Sequence, residues 1–438
     1  DVCSSDLCDE ELAQLIREAD CSIFEDSIEI LSASPFWSTK YQEYFKQDAG
    51  YDLTRYLPYI TSAKTCSTDK VSGYDPTKFY GTNSSRYIED YFTVLSNMYQ
   101  NLFVGSMLDW CHNDLDALYR TQAYITKGIS VDTGAVSLDL DITEGESLAW
   151  KTNYDKFRIL SGATHIAGKK YVTDEVLATS RGTSIKDNYP YGASYAISWD
   201  KAVEKLNDNW VLGVNLMMMH GAAYAEAHTF TSDGTDRLDT QWPGWHPFGA
   251  NAADPWTNRQ PYFEDVNVMT QYMAASQAIL QNGLPKMDVL LYAPKTIDSG
   301  DDGSTCEIYD QSVLVDALDQ GYTYDIVGEA GILHENAVVE NKTLVANGPE
   351  YKAMVVYNTD TIGVEAAQQM LNFAKQGLPI IFVGGTPARV SGVSADSINS
   401  GAVVDGDKID SDAEVQAIMA EITSFDNVAV IQDVPGVL

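Results

Sequence analysis

The sequence predicts an α/β protein built from two successive sets of parallel βα units. Short apolar segments alternate with helical patterns along most of the chain, as in proteins whose parallel strands are joined by helices. The 438 residues are enough for one large βα barrel and a companion domain. Hydrophobic residues make up 45% of the chain, which is typical of a packed globular protein. We expect a barrel domain over residues 1–285 and a smaller Rossmann- or flavodoxin-like, doubly wound α/β domain over residues 286–438.

Five segments of the first set are predicted as strands, and each ends in polar or acidic residues. They are Ser22–Ile30, Ala117–Ile125, Ala135–Glu144, Lys169–Glu175 and Val211–His220. Apolar spacing of three and four residues predicts helices between and after them: Tyr87–Trp110, Tyr154–Gly168, Ser198–Asn209 with Ser198 as its cap, and Val266–Asn282. The segment Thr229–Phe263 lacks a sustained period and is predicted as a long, Trp-rich loop.

The second set repeats the alternation after residue 286. Strands are predicted at 288–294, 353–358, 378–385 and 428–433, a hairpin at 338–346, and helices at Gln311–Gln320, Gly363–Gln376 and Ala413–Thr423. The pair Gly384-Gly385 belongs to neither of the phosphate-binding glycine motifs, GxGxxG and GxxxxGK[ST]. We therefore expect no nucleotide or organic cofactor, and close packing accounts for the two glycines.

The charge of the chain argues against two classes of partner. The 28 Lys and Arg residues against 63 Asp and Glu give a net charge of −35 at pH 7. Such a protein repels nucleic-acid phosphates and anionic lipid headgroups. The longest apolar run, Val211–Ala225, is interrupted by Asn215 and His220 and is shorter than the roughly 20 residues that a bilayer requires. We expect neither a nucleic acid nor a membrane as partner.

The cysteines and two sequons indicate a secreted, extracellular glycoprotein. The six cysteines form an even set without zinc-site spacing: Cys3, Cys8, Cys21, Cys66, Cys111 and Cys306. Disulfide bonds are the expected use, with reduced cysteines of a cytosolic enzyme as the alternative. Asn83 and Asn341 lie in glycosylation sequons. The chain begins at Asp1 without a signal sequence, so we expect a mature or excised piece of a longer protein.

The carboxyl ends of barrel strands carry the reactive groups, because the loops that follow them form the mouth of the barrel. This rule selects Glu29, Arg120, Gln122, Glu144, Glu146, Glu175 and His220. Paired carboxyl groups are what cleavage of a glycosidic bond needs, one to protonate the leaving oxygen and one to activate water or attack the sugar. The sequence has no GxSxG elbow, no Cys–His pattern at a strand–helix turn and no metalloprotease histidine spacing.

Each of these residues also has an ordinary structural explanation. A strand-end glutamate is often solvated or ion-paired, Arg120 can pair with one of the many acids, and His220 can be a hydrogen-bonded core residue. Trp242 and Trp245 in the long loop can pack internally. Aromatic side chains over an active-site mouth also stack on sugar rings, and we favour that role for them.

Ordered motifs along the chain resemble those of the α-L-rhamnosidases of glycoside hydrolase family 106. They are Asp26-Ser27-Ile28-Glu29, Gly50-Tyr51-Asp52-Leu53, Tyr56-Leu57-Pro58, Tyr119-Arg120-Thr121-Gln122-Ala123-Tyr124, Glu144-Gly145-Glu146, Trp242-Pro243-Gly244, Asn258-Arg259-Gln260-Pro261 and Tyr324-Asp325-Ile326-Val327. The resemblance extends over most of the chain, including the second α/β segment.

The resemblance implies an inverting, exo-acting hydrolase of α-L-rhamnosides in plant or microbial polysaccharides, usually helped by calcium. It implies a (β/α)8 TIM-type barrel with Glu29 on the fourth strand as general acid, and Glu175 or Glu144 as the base. Glu146 and Asp26 are candidates for support or for binding the metal, and Arg259 for binding the carbohydrate substrate. Only strands four to eight are then visible, so upstream strands and flanking domains are expected in the same polypeptide.

Two alternatives stay open at this stage. One is another barrel glycosidase with a following α/β domain, such as a β-galactosidase-like enzyme, because fold does not fix the substrate. The other is a non-catalytic carbohydrate-binding protein that keeps the aromatic mouth.

Overall fold

The computed structural model describes residues 10–19, 21–29, 37–38, 40–60, 84–123, 125–126, 131–150, 154–177, 198–221, 227–230, 236–240, 256, 263–293, 297–298, 321–392 and 410–432. The chain divides into two compact units. The first comprises Asp1–Ile142, Gly162–Lys169 and Leu284–Leu438, and the second comprises Thr143–Ser161 and Lys170–Gly283. This division does not follow the expected boundary after residue 285, which stays a prediction.

The elements up to residue 150 are α1 (Glu10–Ala19), β1 (Ser22–Glu25), β2 (Ile28–Glu29), α2 (Tyr41–Asp48), α3 (Leu57–Ile60), α4 (Ser84–Met98), α5 (Gly105–Trp110), β3 (Leu118–Gln122), β4 (Ile125–Thr126), β5 (Val131–Asp132), α6 (Thr133–Asp139), β6 (Ile142–Glu146) and α7 (Ser147–Trp150). A 3-10 turn (Leu53–Tyr56) precedes α3, and π-helical turns (Tyr99–Val104 and Cys111–Leu115) flank α5.

The elements of the middle of the chain are α8 (Tyr154–Ala167), β7 (Val172–Val176), α9 (Trp199–Val211), β8 (Leu216–Met219), β9 (Ala227–Phe230), β10 (Asp236–Thr240) and α10 (Val266–Leu280). Those of the last part are β11 (Val289–Tyr292), β12 (Ile297–Asp298), β13 (Tyr324–Val327), α11 (Glu329–Leu333), β14 (Val339–Glu340), β15 (Thr343–Leu344), β16 (Ala353–Tyr357), β17 (Thr361–Ile362), α12 (Val364–Lys375), β18 (Ile380–Val383), β19 (Arg389–Val390), α13 (Asp410–Ile422) and β20 (Val428–Ile431).

The first unit contains a five-stranded sheet in the order β13-β11-β16-β18-β20, with every pair parallel. Its strands are short apolar runs, and β11 and β13 are buried along their whole length, as expected of a parallel sheet covered on both faces. The parallel α/β pattern predicted after residue 286 is thus confirmed; that this segment is a separate doubly wound domain stays a prediction. In the same unit β1 pairs parallel with β3, and β2 with β4.

The second unit contains β6, β7 and β8, which pair in that order and are also parallel. Helix α10 lies along β8. The Gln277 side chain accepts a hydrogen bond from the Met217 backbone N–H at 2.8 Å, and Gln281 Nε2 donates to the Asn215 carbonyl at 2.7 Å. Side-chain amides of α10 thereby satisfy backbone groups of β8, one of the ways in which proteins protect strand backbones that lack a neighbour.

Several predicted elements differ from the observed ones. The first half of the predicted strand Ala135–Glu144 belongs to helix α6, because the Asp132 carboxylate accepts a hydrogen bond from Ala135 N at 3.0 Å and so caps the helix. The predicted loop Thr229–Phe263 contains an antiparallel pair, β9 with β10. An Asp233-Gly234 dipeptide separates these strands in the sequence, and that dipeptide is a strong hairpin signal.

Strand β13 is not among the predicted strands, and its residues Tyr324–Val327 appear above only as a family motif. The Asp325 carboxylate is fully buried. His165 Nδ1 lies 2.7 Å from Asp325 Oδ2, and the Tyr351 hydroxyl donates to the same oxygen at 2.8 Å. These contacts satisfy the buried carboxyl, so a polar residue is tolerated inside the sheet.

Cys21 and Cys111 are free thiols, so the predicted disulfide use does not hold for these two cysteines. Burial raises the pKa of the Cys111 thiol to about 11. The other four cysteines lie outside the described residues. None of the helices in the described part of the chain is both long and apolar enough to cross a membrane.

A buried arginine joins α4 to α13 within the first unit. Arg86 Nη1 and Nη2 donate to the two carboxylate oxygens of Asp412 at 3.0 and 2.8 Å, and Nη1 also donates to the Val390 carbonyl. The Arg86 side chain is only 2% exposed, and Val390 N donates to the same Asp412 carboxylate. This bidentate ion pair links parts of the chain that are more than 300 residues apart in sequence.

We predict that Arg86→Ala lowers the free energy of unfolding by about 3–5 kcal/mol, because the Asp412 carboxylate loses its main partner in a largely buried place. Urea unfolding measures the change. The matched control is Arg389→Ala, which breaks the exposed pair with Asp360 and should cost at most about 1 kcal/mol. Equal losses for the two variants would contradict this role of Arg86.

Candidate active site

Strands β6, β7 and β8 carry most of the acidic side chains predicted at strand ends. Their register sets Glu146 beside Glu175 and Gly145 beside Asp174. Successive side chains of a strand point to opposite faces, so these two pairs lie on opposite sides of the strands. We call the first side the glutamate face; it carries Glu144, Glu146, Thr173, Glu175, Met218 and, just beyond β8, His220. We call the other side, which packs against helices, the helix face.

Gly145 explains why helices pack so closely behind the two glutamates that flank it. A Cβ atom at this position would lie 2.5 Å from Cε1 of Phe157 in α8 and 2.9 Å from Cζ3 of Trp150 in α7. Both rings are buried and meet edge to face. The helix face of β6 therefore has no room for a side chain between Glu144 and Glu146.

Glu144 is buried within the glutamate face. It is 1% exposed, and one of its carboxylate oxygens accepts a hydrogen bond from Thr173 Oγ1 at 2.7 Å. Glu146, two residues further along β6, is only half-buried. The two predicted glutamates of β6 thus occupy different environments, one enclosed and one open to solvent.

Glu175 and His220 lie together at the carboxyl ends of β7 and β8. Glu175 Oε1 is 3.6 Å from His220 Nε2, and the two side chains are 17% and 21% exposed. The His220 backbone N–H donates to the Val176 carbonyl at 2.9 Å, which fixes the chain just after β8. A carboxylate beside an imidazole at a partly open strand end can bind and deprotonate a water or a hydroxyl group.

An aromatic pair missed by the sequence analysis lies next to His220. The indole N–H of Trp256 donates to the His220 carbonyl at 3.0 Å, and its backbone N–H donates to the Gly221 carbonyl at 3.2 Å. The ring of Trp199, at the start of α9, lies 5.4 Å from the Trp256 ring. Trp256 lies in the Trp-rich segment of the sequence, but no sequence signal distinguishes it from the other aromatic residues of that segment.

Asp174 is a further residue that the sequence analysis missed. It lies on the helix face, is completely buried, and accepts hydrogen bonds from Ser147 Oγ and Asn209 Nδ2. Burial raises the pKa of the Asp174 carboxyl well above its usual range. The nearby Glu144 carboxylate adds to the rise, while the two hydrogen bonds oppose it. The raised pKa favours the protonated form of Asp174.

The remaining predicted residues within the described part lie in the first unit. Glu29 ends strand β2, and its side chain lies outside the described part of the structure. Asp26 is exposed and accepts a hydrogen bond from Ser27 N. On β3 the Gln122 side chain is fully buried, and the Arg120 guanidinium lies over the Phe24 ring, 4.1 Å from its centre.

The same unit holds an acid that the sequence analysis did not select. Glu25, at the end of β1, accepts a hydrogen bond from the Tyr119 hydroxyl. Burial raises the pKa of the Glu25 carboxyl, and the Tyr119 hydrogen bond opposes the rise. The strand-end rule had selected Glu29 because the predicted strand Ser22–Ile30 was read as continuous, whereas the structure divides it into β1 and β2.

Several predicted residues lie outside the described residues: Trp242, Trp245, Arg259 and Asn83. The other sequon residue, Asn341, lies with Lys342 in the two-residue turn between β14 and β15. Both have positive φ, 50° and 67°, as in a type I′ hairpin turn, and both are exposed. Asn341 is thus accessible to a modifying enzyme.

Calcium prefers six to eight oxygen ligands, which in proteins come mostly from carboxylates and carbonyls. Within the described ranges no three His, Cys, Asp or Glu side chains converge in a way that could hold a metal ion. Asp26 and Glu146, the suggested metal candidates, belong to different units. Calcium binding stays a prediction from the family resemblance.

Comparison with known proteins identifies the family. A family model described as alpha-L-rhamnosidase, glycoside hydrolase family 106, matches residues 12–428. The chain belongs to this family. The resemblance found in the sequence motifs is thus confirmed. None of the curated proteins matches the chain.

Solved structures agree in fold. The chain is similar to a rhamnosidase from Novosphingobium sp. PP1Y, with a TM-score of 0.62 at 17% identity over 94% of this chain and 35% of that one. It is also similar to a β-galactosidase from Bacillus circulans sp. alkalophilus, with a TM-score of 0.50 at 10% identity over 87% of this chain and 55% of that one. At these identities the likeness extends to the fold alone. The chain spans about a third of the length of the Novosphingobium rhamnosidase.

The raised pKa of Asp174 predicts a pH dependence of stability. The native state holds this proton more tightly than the unfolded chain does, so its contribution to stability is largest below the unfolded pKa, about 3.9. That contribution is lost as the pH rises toward the native pKa. Asp174→Asn has no proton to lose, so its unfolding free energy relative to the unaltered protein should increase between pH 4 and pH 8. Urea unfolding across this range measures it, and a constant difference would contradict the prediction.

Proposed function

We propose that this family 106 glycosidase is an inverting, exo-acting α-L-rhamnosidase that releases terminal rhamnose from polysaccharides or glycosides. The observation that carries the proposal is the glutamate face, on which Glu146, Glu175 and His220 stand at strand ends and remain partly open to solvent. Membership of the α-L-rhamnosidase family supports rhamnose as the sugar that is released.

Glu175 is the proposed general base. A base in an inverting glycosidase removes a proton from a water molecule that attacks the anomeric carbon, so its carboxylate must be reachable by water. Glu175 is 17% exposed, whereas Glu144 is enclosed at 1% and holds a hydrogen bond from Thr173. This contrast favours Glu175 over Glu144, and Glu144 is proposed as a supporting residue of the glutamate face.

His220 and Glu146 complete the proposed environment of the base. The imidazole 3.6 Å from Glu175 orients that carboxylate and can donate to it or to a sugar hydroxyl. Glu146 lies beside Glu175 in register, and neighbouring strands are about 4.8 Å apart. That spacing suits two groups that bind the same ring or the same water, whereas the acid and base of an inverting enzyme are roughly 6.5–9.5 Å apart. The general acid is therefore proposed to come from another strand.

Glu29 is the general acid that the family resemblance implies. Its assignment rests on the motif Asp26-Ser27-Ile28-Glu29 and on its place at the end of β2. Arg120, Gln122 and Asp26 are proposed as substrate-binding residues on the same ground. Trp242, Trp245 and Arg259 remain predictions for binding the sugar.

Three broader features of the predicted protein stay proposals. The eight-stranded barrel requires strands besides those described, and these are proposed to belong to the same polypeptide. Secretion is proposed from the cysteine count, the acidity and the sequons. Glycosylation is proposed at Asn83 and at Asn341, which lies exposed in a hairpin turn.

We predict that the protein hydrolyses an aryl α-L-rhamnoside but not the matching β-galactoside. Proton NMR of the first product formed should show β-rhamnose, the inverted anomer. Glu175→Gln should lower kcat by about 100-fold or more, because general base catalysis contributes about 10² to 10⁴ in rate. Release of galactose alone would assign the enzyme to another substrate class.

The matched control is Glu204→Gln, on the exposed surface of α9 in the same unit, where the carboxylate only pairs with Lys201. Its kcat should stay within about twofold of the unaltered enzyme. If Glu175→Gln keeps more than a tenth of the original kcat, Glu175 is not the base. First release of α-rhamnose would show a retaining mechanism and refute the inverting one.

Calcium dependence is predicted from the family resemblance alone. Incubation with a chelator should lower activity on the aryl rhamnoside, and added Ca²⁺, but not Mg²⁺, should restore it. Calcium tolerates irregular oxygen cages that magnesium does not. Full activity after chelation, with metal content below one-tenth of an ion per chain by mass spectrometry, would refute it.

A further inference from the structure

We propose that Asp174 is a positioning residue of the hydrolytic reaction. Its hydrogen bonds on the helix face hold the carboxyl ends of β6 and β7 together, and so keep Glu146 and Glu175 in place on the glutamate face. The inference rests on the proposed function, because it names a residue that acts through the proposed base. Asp174 itself does not face the substrate side of the strands.

The contacts of Asp174 join three elements of the second unit. Its Oδ2 accepts from the hydroxyl of Ser147, the first residue of α7, and from the amide of Asn209 in α9. Ser147 directly follows Glu146, and Glu175 directly follows Asp174. The Ser147–Asp174 contact on the helix face therefore lies directly behind the Glu146–Glu175 pair on the glutamate face.

Strand β7 is held at three successive residues. Thr173 donates to Glu144 of β6, Asp174 accepts from α7 and α9, and Glu175 contacts His220 after β8. The first and third contacts lie on the glutamate face and the second on the helix face. A shift of β7 would break contacts on both faces at once, so the second contact limits how far Glu175 can move.

A hydrophobic residue would pack more easily at this place, since a fully buried acid is costly unless its partners satisfy it. Asp174 Oδ1 is buried and has no hydrogen-bond partner among the described residues, and the carboxylates of Glu144 and Glu146 lie nearby. A charged Asp174 would be repelled by both. The protonated acid, which the raised pKa favours, keeps the hydrogen bonds without that repulsion, and an asparagine of the same shape can replace it.

The experiment compares Asp174→Ala with Asp174→Asn in the full chain. Both are assayed for kcat, KM and the pH profile of kcat/KM on the aryl α-L-rhamnoside, and for thermal stability. Leu206→Ala is the matched structural control, because Leu206 is a fully buried apolar residue of α9 that carries no polar group and is not itself a proposed site residue. It should lower Tm and leave kcat unchanged.

We expect Asp174→Ala to lower kcat by about 100-fold, the size of effect that a displacement of about 1 Å has on catalysis, with KM within threefold. Asp174→Asn should restore kcat to within about fivefold and leave the pH profile unmoved. If Asp174→Ala lowers Tm as Leu206→Ala does but keeps kcat within threefold, Asp174 is merely structural. If Asp174→Asn is as slow as Asp174→Ala, or moves the pH profile, Asp174 acts as a charge. Either result overturns the proposal.

Failure of the proposed function has a different signature. In that case the unaltered protein cleaves no rhamnoside, and the positioning role is measured by crystallography of the unaltered protein and Asp174→Ala. The separation of the Glu146 and Glu175 Cα atoms should then differ between the two structures. An unchanged separation would overturn the positioning role as well.

Discussion

Successive side chains of a β-strand point to opposite faces, and the candidate site depends on this alternation in β6 and β7. It puts Glu146 and Glu175 on one face and leaves Gly145 and Asp174 to the helices behind. The missing side chain of Gly145 admits the Phe157 ring, and Asp174 accepts hydrogen bonds from two helices. A register shift of one residue would exchange the two faces, bury the glutamates and expose the packing residues. The register of β6 and β7 therefore determines both the packing on the helix face and the side chains available on the glutamate face.

The second unit gathers carboxyl groups in a chain that already carries a net charge of −35. Like charges this close repel one another unless some are neutralised or hydrogen-bonded. Here burial raises the pKa of Asp174 and favours its protonated form, Glu144 accepts a hydrogen bond from Thr173, and Glu175 lies beside His220. Each acid thus has its own way of reducing the repulsion. Such differences in environment distinguish a carboxyl group with a structural role from one that can accept a proton in a reaction.

The first unit depends on polar contacts between parts of the chain that are distant in sequence. Asp325 within the parallel sheet is satisfied by His165 and Tyr351, and Arg86 of α4 binds Asp412 of α13. Buried groups of this kind stabilise only when their partners are in place, and they penalise arrangements in which those partners are apart. They therefore help to specify which segments of the chain come together.

The sequence by itself determined the parallel α/β class, most helices and strands, the family, and which glutamates stand at the ends of β6 and β7. These features are local, because the hydrophobic period, the helix caps and the acids at strand ends depend on residues that are close together in the sequence. It did not determine that the first half of Ala135–Glu144 is helix, that Asp174 is buried with a raised pKa, or that Trp256 lies against His220. The last two features depend on partners far away in the chain: Asn209 is 35 residues from Asp174, and Trp256 is 36 residues from His220. Burial and pKa are set by such partners, and only the tertiary structure brings them together.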